Sequence, residues 1–110
     1  MRQIDFNEEF RLRTKMMSLA VIEKVSDLKY SDALSIIRKQ LIRSVTSVAA
    51  NYRASCRARS EADETIFWLD LLVEGKFIES NEIKDIQKEA LEILKVMSAY
   101  RKSVSQRLNK

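Results

Sequence analysis

A chain of 110 residues fits one domain with room for a core, yet is small enough for contacts between subunits to matter to its stability. One Gly and no Pro argue against a turn-rich all-β fold and for an all-α one. The absence of His removes the commonest general base and a favoured zinc ligand. The net charge of +4 conceals segregation: residues 33–60 hold Arg38, Lys39, Arg43, Arg53, Arg57 and Arg59 and no carboxylate, whereas Asp and Glu dominate residues 61–92. Such blocks point to basic surfaces able to meet a polyanion, balanced by an acidic hairpin.

The first helix is expected to begin after Asn7, a capping residue type, with Glu8 and Glu9 set against the helix dipole. Phe6, Phe10, Met17, Val21, Val25 and Leu28 supply its apolar stripe, and Met16, Leu19 and Ile22 widen it enough to need more than one neighbour. Ser31 is the expected cap of the second helix.

From Ser31 to Ser60 there is neither Gly nor Pro, and Leu34, Ile37, Leu41, Val45, Val48 and Tyr52 step by three or four. At about 100° per residue they fall inside an arc of roughly 80°. Lys39, Arg43, Ala50, Arg53 and Arg57 cluster on the opposite meridian, so one long helix would carry an oily side and a basic side.

A third helix over Glu61–Glu74 starts at a Ser60–Asp63 pair resembling a capping box and stops at Gly75, a plausible left-handed residue. It is apolar nearly all round. Ala62, Ile66, Leu69 and Val73 share one side, while Phe67, Trp68, Leu71 and Leu72 fill most of the rest and are candidates for an interface between chains. The last helix opens at Ser80 or Asn81 and runs into the tail, with Ile83, Ala90, Met97 and Val104 repeating every seven residues.

The architecture expected is a single domain over residues 1–110, an antiparallel up-and-down four-helix bundle. One length conflicts with it. A second helix of about thirty residues spans roughly 45 Å, whereas the third would span only about 21 Å. Either another subunit covers the surplus stripe, or residues that once joined Ser60 to Glu61 are missing. Arg59 would also land on the oily meridian of a continuous second helix, which a break near Arg59 and Ser60 would relieve.

The blocks QLIRSVTSVAANYRASCRARS at residues 40–60 and EADETIFWLDLL at 61–72 resemble the paired signatures of a four-helix-bundle family, that of the protein encoded in intervening sequences of bacterial 23S ribosomal RNA. That family is in turn similar to the accessory protein of diversity-generating retroelements. The resemblance rests on the Arg-Ser-x-x-Ser-x-x-x-Asn run at Arg43, Ser44, Ser47 and Asn51. Family members carry further residues between the two blocks, which this chain lacks. The resemblance implies a ring-like homo-oligomer, a pentamer in the better-known members, with a basic surface proposed to touch nucleic acid; it does not imply an enzyme.

Residue by residue, the chemistry agrees with a protein that is not an enzyme. No Gly-x-Ser-x-Gly elbow or Ser/His pair activates a serine, and Gly75 alone makes no phosphate loop. Glu61, Asp63 and Glu64 have the oxygen ligands a magnesium ion takes, but acids at a helix start ordinarily answer the dipole. Neither metal nor cofactor is expected. The lone Cys56 forms no internal disulfide, no apolar run approaches the ~18 residues of a membrane span, and the start MRQIDFNEEF lacks a signal peptide's apolar block. A cytoplasmic protein without a membrane partner is expected.

Two functional readings remain. In the first, Arg38, Lys39, Arg43, Arg53 and Arg57 contact the phosphates of RNA or DNA, structured RNA being favoured by the resemblance. Set against it, these side chains are a solvated face, or pair between subunits with Asp63, Glu64 or Asp70. In the second reading the protein is a scaffold docking a partner, such as a nucleic-acid enzyme, without touching nucleic acid itself.

Overall fold

The computed structural model describes the backbone of residues 3–51 and 55–108, and the side chains of residues 8–51 and 57–99. Expectations placed on Phe6, Tyr52, Arg53, Cys56, Val104 and the basic tail therefore lie outside the described residues. Four helices follow in order: α1 (Gln3–Ser26), α2 (Asp32–Asn51), α3 (Ser55–Glu74) and α4 (Ser80–Leu108). Among the described residues there is no strand.

The long second helix does not exist. α2 stops at Asn51 and α3 begins at Ser55, so each is 20 residues long and the mismatch in length disappears. The break precedes the expected position, and α3 runs through Ser60 and Glu61 without interruption. The reason lies in Arg59. A continuous rod would turn its guanidinium into the core, at the cost of burying a charge. On α3 it is exposed and Ala58 and Ala62 are buried instead. These alanines place two small residues where α3 meets the core.

The ends of the helices show how local chemistry sets them. α1 begins at Gln3, so Asn7 lies inside it and is not its cap. The Ser31 hydroxyl accepts from the Leu34 amide at 3.1 Å, as expected of a cap. The Arg38 guanidinium donates to the Val25 carbonyl in the last turn of α1 at 3.2 Å, where a cation complements the helix dipole. α4 opens at Ser80, but the cap position belongs to Glu79, whose amide donates to the Glu82 carboxylate at 3.0 Å, half of a capping box.

α3 closes in a Schellman arrangement: the Phe77 amide donates to the Leu72 carbonyl and the Lys76 amide to the Val73 carbonyl, both at 3.0 Å. The left-handed residue is Lys76, with φ of 63°, and Gly75 has no positive φ. Gly75 serves close packing instead. A Cβ there would come within 2.7 Å of the Phe77 ring and 2.9 Å of the Leu71 carbonyl oxygen.

Cross-helix pairs fix the topology. Arg38 reaches Val25 while Ser18 donates to the Val45 carbonyl, so advancing along α2 means returning along α1. Gln87 with Asp70 and Arg59 with Ser98 give the same antiparallel sense to α3 and α4. Each helix packs on its neighbours around the bundle, and α1 against α4 is the loosest of the four seams. The core joins Phe10, Met17 and Val21 of α1 to Leu41, Val45 and Val48 of α2, Leu69 and Leu72 of α3, and Ile83, Ala90, Ile93 and Met97 of α4. The stripes of α2 and α4 are buried as their periodicity requires, whereas Met16 and Leu19 of α1 are exposed.

Lys76→Gly is expected to stabilise the fold by about 1 kcal/mol, because a side chain in the left-handed region carries a cost that glycine escapes. Gly75→Ala should lower the urea midpoint through the clash with Leu71 and Phe77. An unchanged midpoint for both variants in chemical denaturation would contradict this account of the α3 terminus.

Candidate functional site

The residues expected to form one basic face separate in the structure. Arg38 is spent on the Val25 carbonyl. Arg43 lies across the α2–α3 seam, its Nη1 3.2 Å from Glu61 and its Nη2 2.7 Å from Glu64. Arg57 belongs to α3, not to the second helix, and Arg53 is outside the described residues. Lys39 and Arg57 are exposed and make no ion pair among the described residues. Intramolecular pairing therefore replaces the pairing between subunits considered for Arg43, and it uses Glu61 as well as Glu64. Asp70 accepts from Gln87 and takes no arginine among the described residues.

Beside Arg43, the buried Ser44 hydroxyl donates to the Leu41 carbonyl, and Thr65 Oγ1 lies 3.0 Å from Ser44 Oγ and 2.8 Å from the Glu61 carbonyl. Asn51 turns back to the Ser47 carbonyl at 2.9 Å. The Arg-Ser run and the Glu-x-x-Glu-Thr run facing it thus form one joint between helices. A side chain 46% exposed gains little from its ion pairs, about 0–1 kcal/mol. The buried hydroxyl pair carries the larger consequence, since a hydrogen bond shielded from water contributes about 0.5–1.5 kcal/mol, and the fallback of each hydroxyl on a carbonyl of its own helix keeps the loss at that scale.

The apolar surface of α3 is also used within the chain. Leu72 is fully buried in the core, which corrects its assignment to an interface with another chain. Trp68 and Leu71 are half-buried against that core, and of the four proposed interface residues only Phe67, 55% exposed, stands in the open. Its ring meets Trp68 edge-on, with centroids 4.9 Å apart. The Trp68 indole nitrogen is buried without a hydrogen-bond partner.

An uncovered row of apolar residues lies elsewhere, on α1. Leu12, Met16 and Leu19 are 46%, 61% and 50% exposed and follow a spacing of four and three along one side of the helix. Leu12 and Met16, with Met17 and Ala20, line a groove against Ile86 of α4, a hollow of about 560 Å³. Glu9, Arg13, Asp85 and Glu89 border it. Arg13 grips Glu89 with two hydrogen bonds, at 2.7 and 3.2 Å, and the hydrogen bond to Glu89 holds its guanidinium above the usual arginine range. A raised cationic group stabilises the fold below its unfolded range and ceases to do so only as pH rises through the folded value, so this staple does not release near neutrality. The sequence contains this second stripe in the spacing of Leu12, Met16 and Leu19. Met16 and Leu19 were instead assigned to a widened core stripe because periodicity does not say how many neighbours a helix has.

No group of three or more Cys, His, Asp or Glu able to hold a metal occurs among the described residues. None of the described helices is long and apolar enough to cross a membrane. Among solved structures, the chain is similar to a protein of unknown function from the S23 ribosomal protein family of Bacteroides thetaiotaomicron. The two are 25% identical with a TM-score of 0.60, over 87% of this chain and 94% of that one. That neighbour is likewise a four-helix fold. No family model matches the chain, and no curated protein does.

Thr65→Val, which keeps the volume and removes the buried hydroxyl, is expected to cost about 1 kcal/mol or more, while Arg43→Ala should cost less. Thermal and urea denaturation of both variants check the order. If Arg43→Ala proves the more damaging, the ion pairs and not the hydroxyl pair hold the joint.

Proposed function

We propose that this protein is a non-enzymatic helical scaffold that acts by docking protein surfaces, and that it is a relative of the 23S ribosomal RNA intervening-sequence proteins. One observation carries the reading: an apolar groove between α1 and α4 stands open, its exposed residues Leu12 and Met16 in line. Contiguous apolar surface bordered by polar residues marks a place where another molecule binds. The resemblance adds a ring-like homo-oligomer, a pentamer in the better-known members, and the single cysteine suits a cytoplasmic setting. Its interface would use α3 around Phe67, a surface separate from the groove.

Affinity capture from the source cell with the native chain and with Met16→Glu tests the scaffold. Protein partners, a nucleic-acid enzyme among them, retained by the native chain and lost by the variant support it. Identical capture by both would remove the groove from the function. Light scattering tests assembly, since a mass near one chain at micromolar concentration would contradict the ring.

A second reading keeps direct contact with RNA or DNA, favoured by Lys39 and Arg57, which are exposed and make no ion pair among the described residues. Two such cations, with Arg53 beside them in sequence, make a weaker phosphate track than an entire basic meridian. Anisotropy with a structured RNA over a salt series is expected to show an affinity that falls with ionic strength and is reduced in Lys39→Glu/Arg57→Glu. No binding at low salt would eliminate nucleic acid as a partner.

A further inference from the structure

We infer that the α1–α4 groove receives a cationic amphipathic helix from a partner protein. This rests on the scaffold reading and names the chemistry of its partner. The groove has three properties that together select such an occupant.

Its shape comes first. Two adjacent helices leave a straight furrow between them, and its α1 side, from Glu9 to Ala20, is roughly 17 Å long, about three helical turns. A helix laid along it can place residues spaced by three and four against Leu12, Met16 and Ile86.

Charge comes second. Glu9, Asp85 and Glu89 border the furrow, and Glu92 acts on the same Arg13 that Glu89 grips. Arg13 is the one basic residue in this set, so the rim is acidic in balance. Lysine or arginine on an incoming helix can lay its methylene stem over the apolar floor and carry its cationic end to these carboxylates. An acidic helix would meet like charges on entry.

The third property concerns what this chain offers itself. Two copies meeting groove to groove would oppose two acidic rims. Among the described residues, α2 exposes one large hydrophobic residue, Ile36, and α4 one, Leu91. α3 also exposes one, Phe67, on a helix whose exposed residues include Asp63 and Asp70. Exposed Lys88 and Lys95 flank Leu91, and exposed Arg57 and Arg59 lie on α3, but among the described residues none of these three helices sets two large apolar residues in an exposed row as the furrow requires, which favours a different chain.

The test uses two fluorescent synthetic peptides of about three to five turns with one leucine stripe, flanked by lysine in one and by glutamate in the other. Anisotropy is expected to show saturable binding of the lysine peptide, weakened by salt, and at least about tenfold weaker binding to Met16→Glu. Met16 is already exposed, so that variant should keep its helical circular dichroism and melting temperature. Asp85→Lys, a second and milder change at the rim, should disfavour the lysine peptide and favour the glutamate one. The inference is overturned if neither peptide binds, if both bind alike, or if both variants leave binding unchanged. It is also overturned if Met16→Glu reduces an assembled native chain to single-chain mass, which would make a second copy the occupant. Loss of cellular partners in Met16→Glu without lysine-peptide binding would leave the scaffold standing and remove only the cationic helix.

Discussion

Arg43 and Ser44 are neighbours on α2, and the residues they face on α3, Glu61, Glu64 and Thr65, come from the other of the two sequence blocks that resemble one family. The cross-helix bond between Thr65 and Ser44, 3.0 Å long, forms only where the two helices bring these hydroxyls face to face, and the core supplies no water to bridge a wider gap. The register of α2 against α3 is therefore pinned at one level of the bundle. With that level fixed, Leu41 and Val45 of α2 and Leu69 and Leu72 of α3 all turn into the one buried core, and α3 packs on α4 as well.

The same joint changes how the charge pattern is understood. Six cations without a carboxylate between residues 33 and 60 look like a surface made for phosphate. In three dimensions the chain doubles back inside that block, and the acidic stretch that follows it lies alongside. One arginine caps α1, another bridges two carboxylates, and a third moves to a different helix. Charge segregation along a sequence is thus a poor guide to charge segregation on a surface when the two blocks belong to one hairpin.

Much of the fold was legible in the residues. The scarcity of glycine and proline, the buried stripe from Leu34 to Val48, the heptad from Ile83 to Met97 and the Ser31 cap all belong to short-range rules of helical geometry. The break between α2 and α3 was not, since no glycine or proline marks it; only the position of Arg59 betrayed that a continuous helix would bury a charge. Gly75 was recognised as a stop for the wrong reason, because the backbone twist falls on Lys76 and the glycine makes room for Phe77. The groove on α1 depends on which helix becomes its neighbour and how tightly, a tertiary property that periodicity alone leaves undetermined.

The seam between α1 and α4 differs from the other three in the path of the chain. Every other neighbouring pair is consecutive in the chain, whereas Arg13 and Glu89 are 76 residues apart. Closing so long a loop carries the largest entropic penalty of any contact in the bundle, and the loose packing there returns the least in exchange. Of the four seams, then, this one depends most on the rest of the bundle being in place. A molecule resting in the furrow would touch the first and last helices at once, so that its binding would tighten the seam that the chain itself holds most weakly.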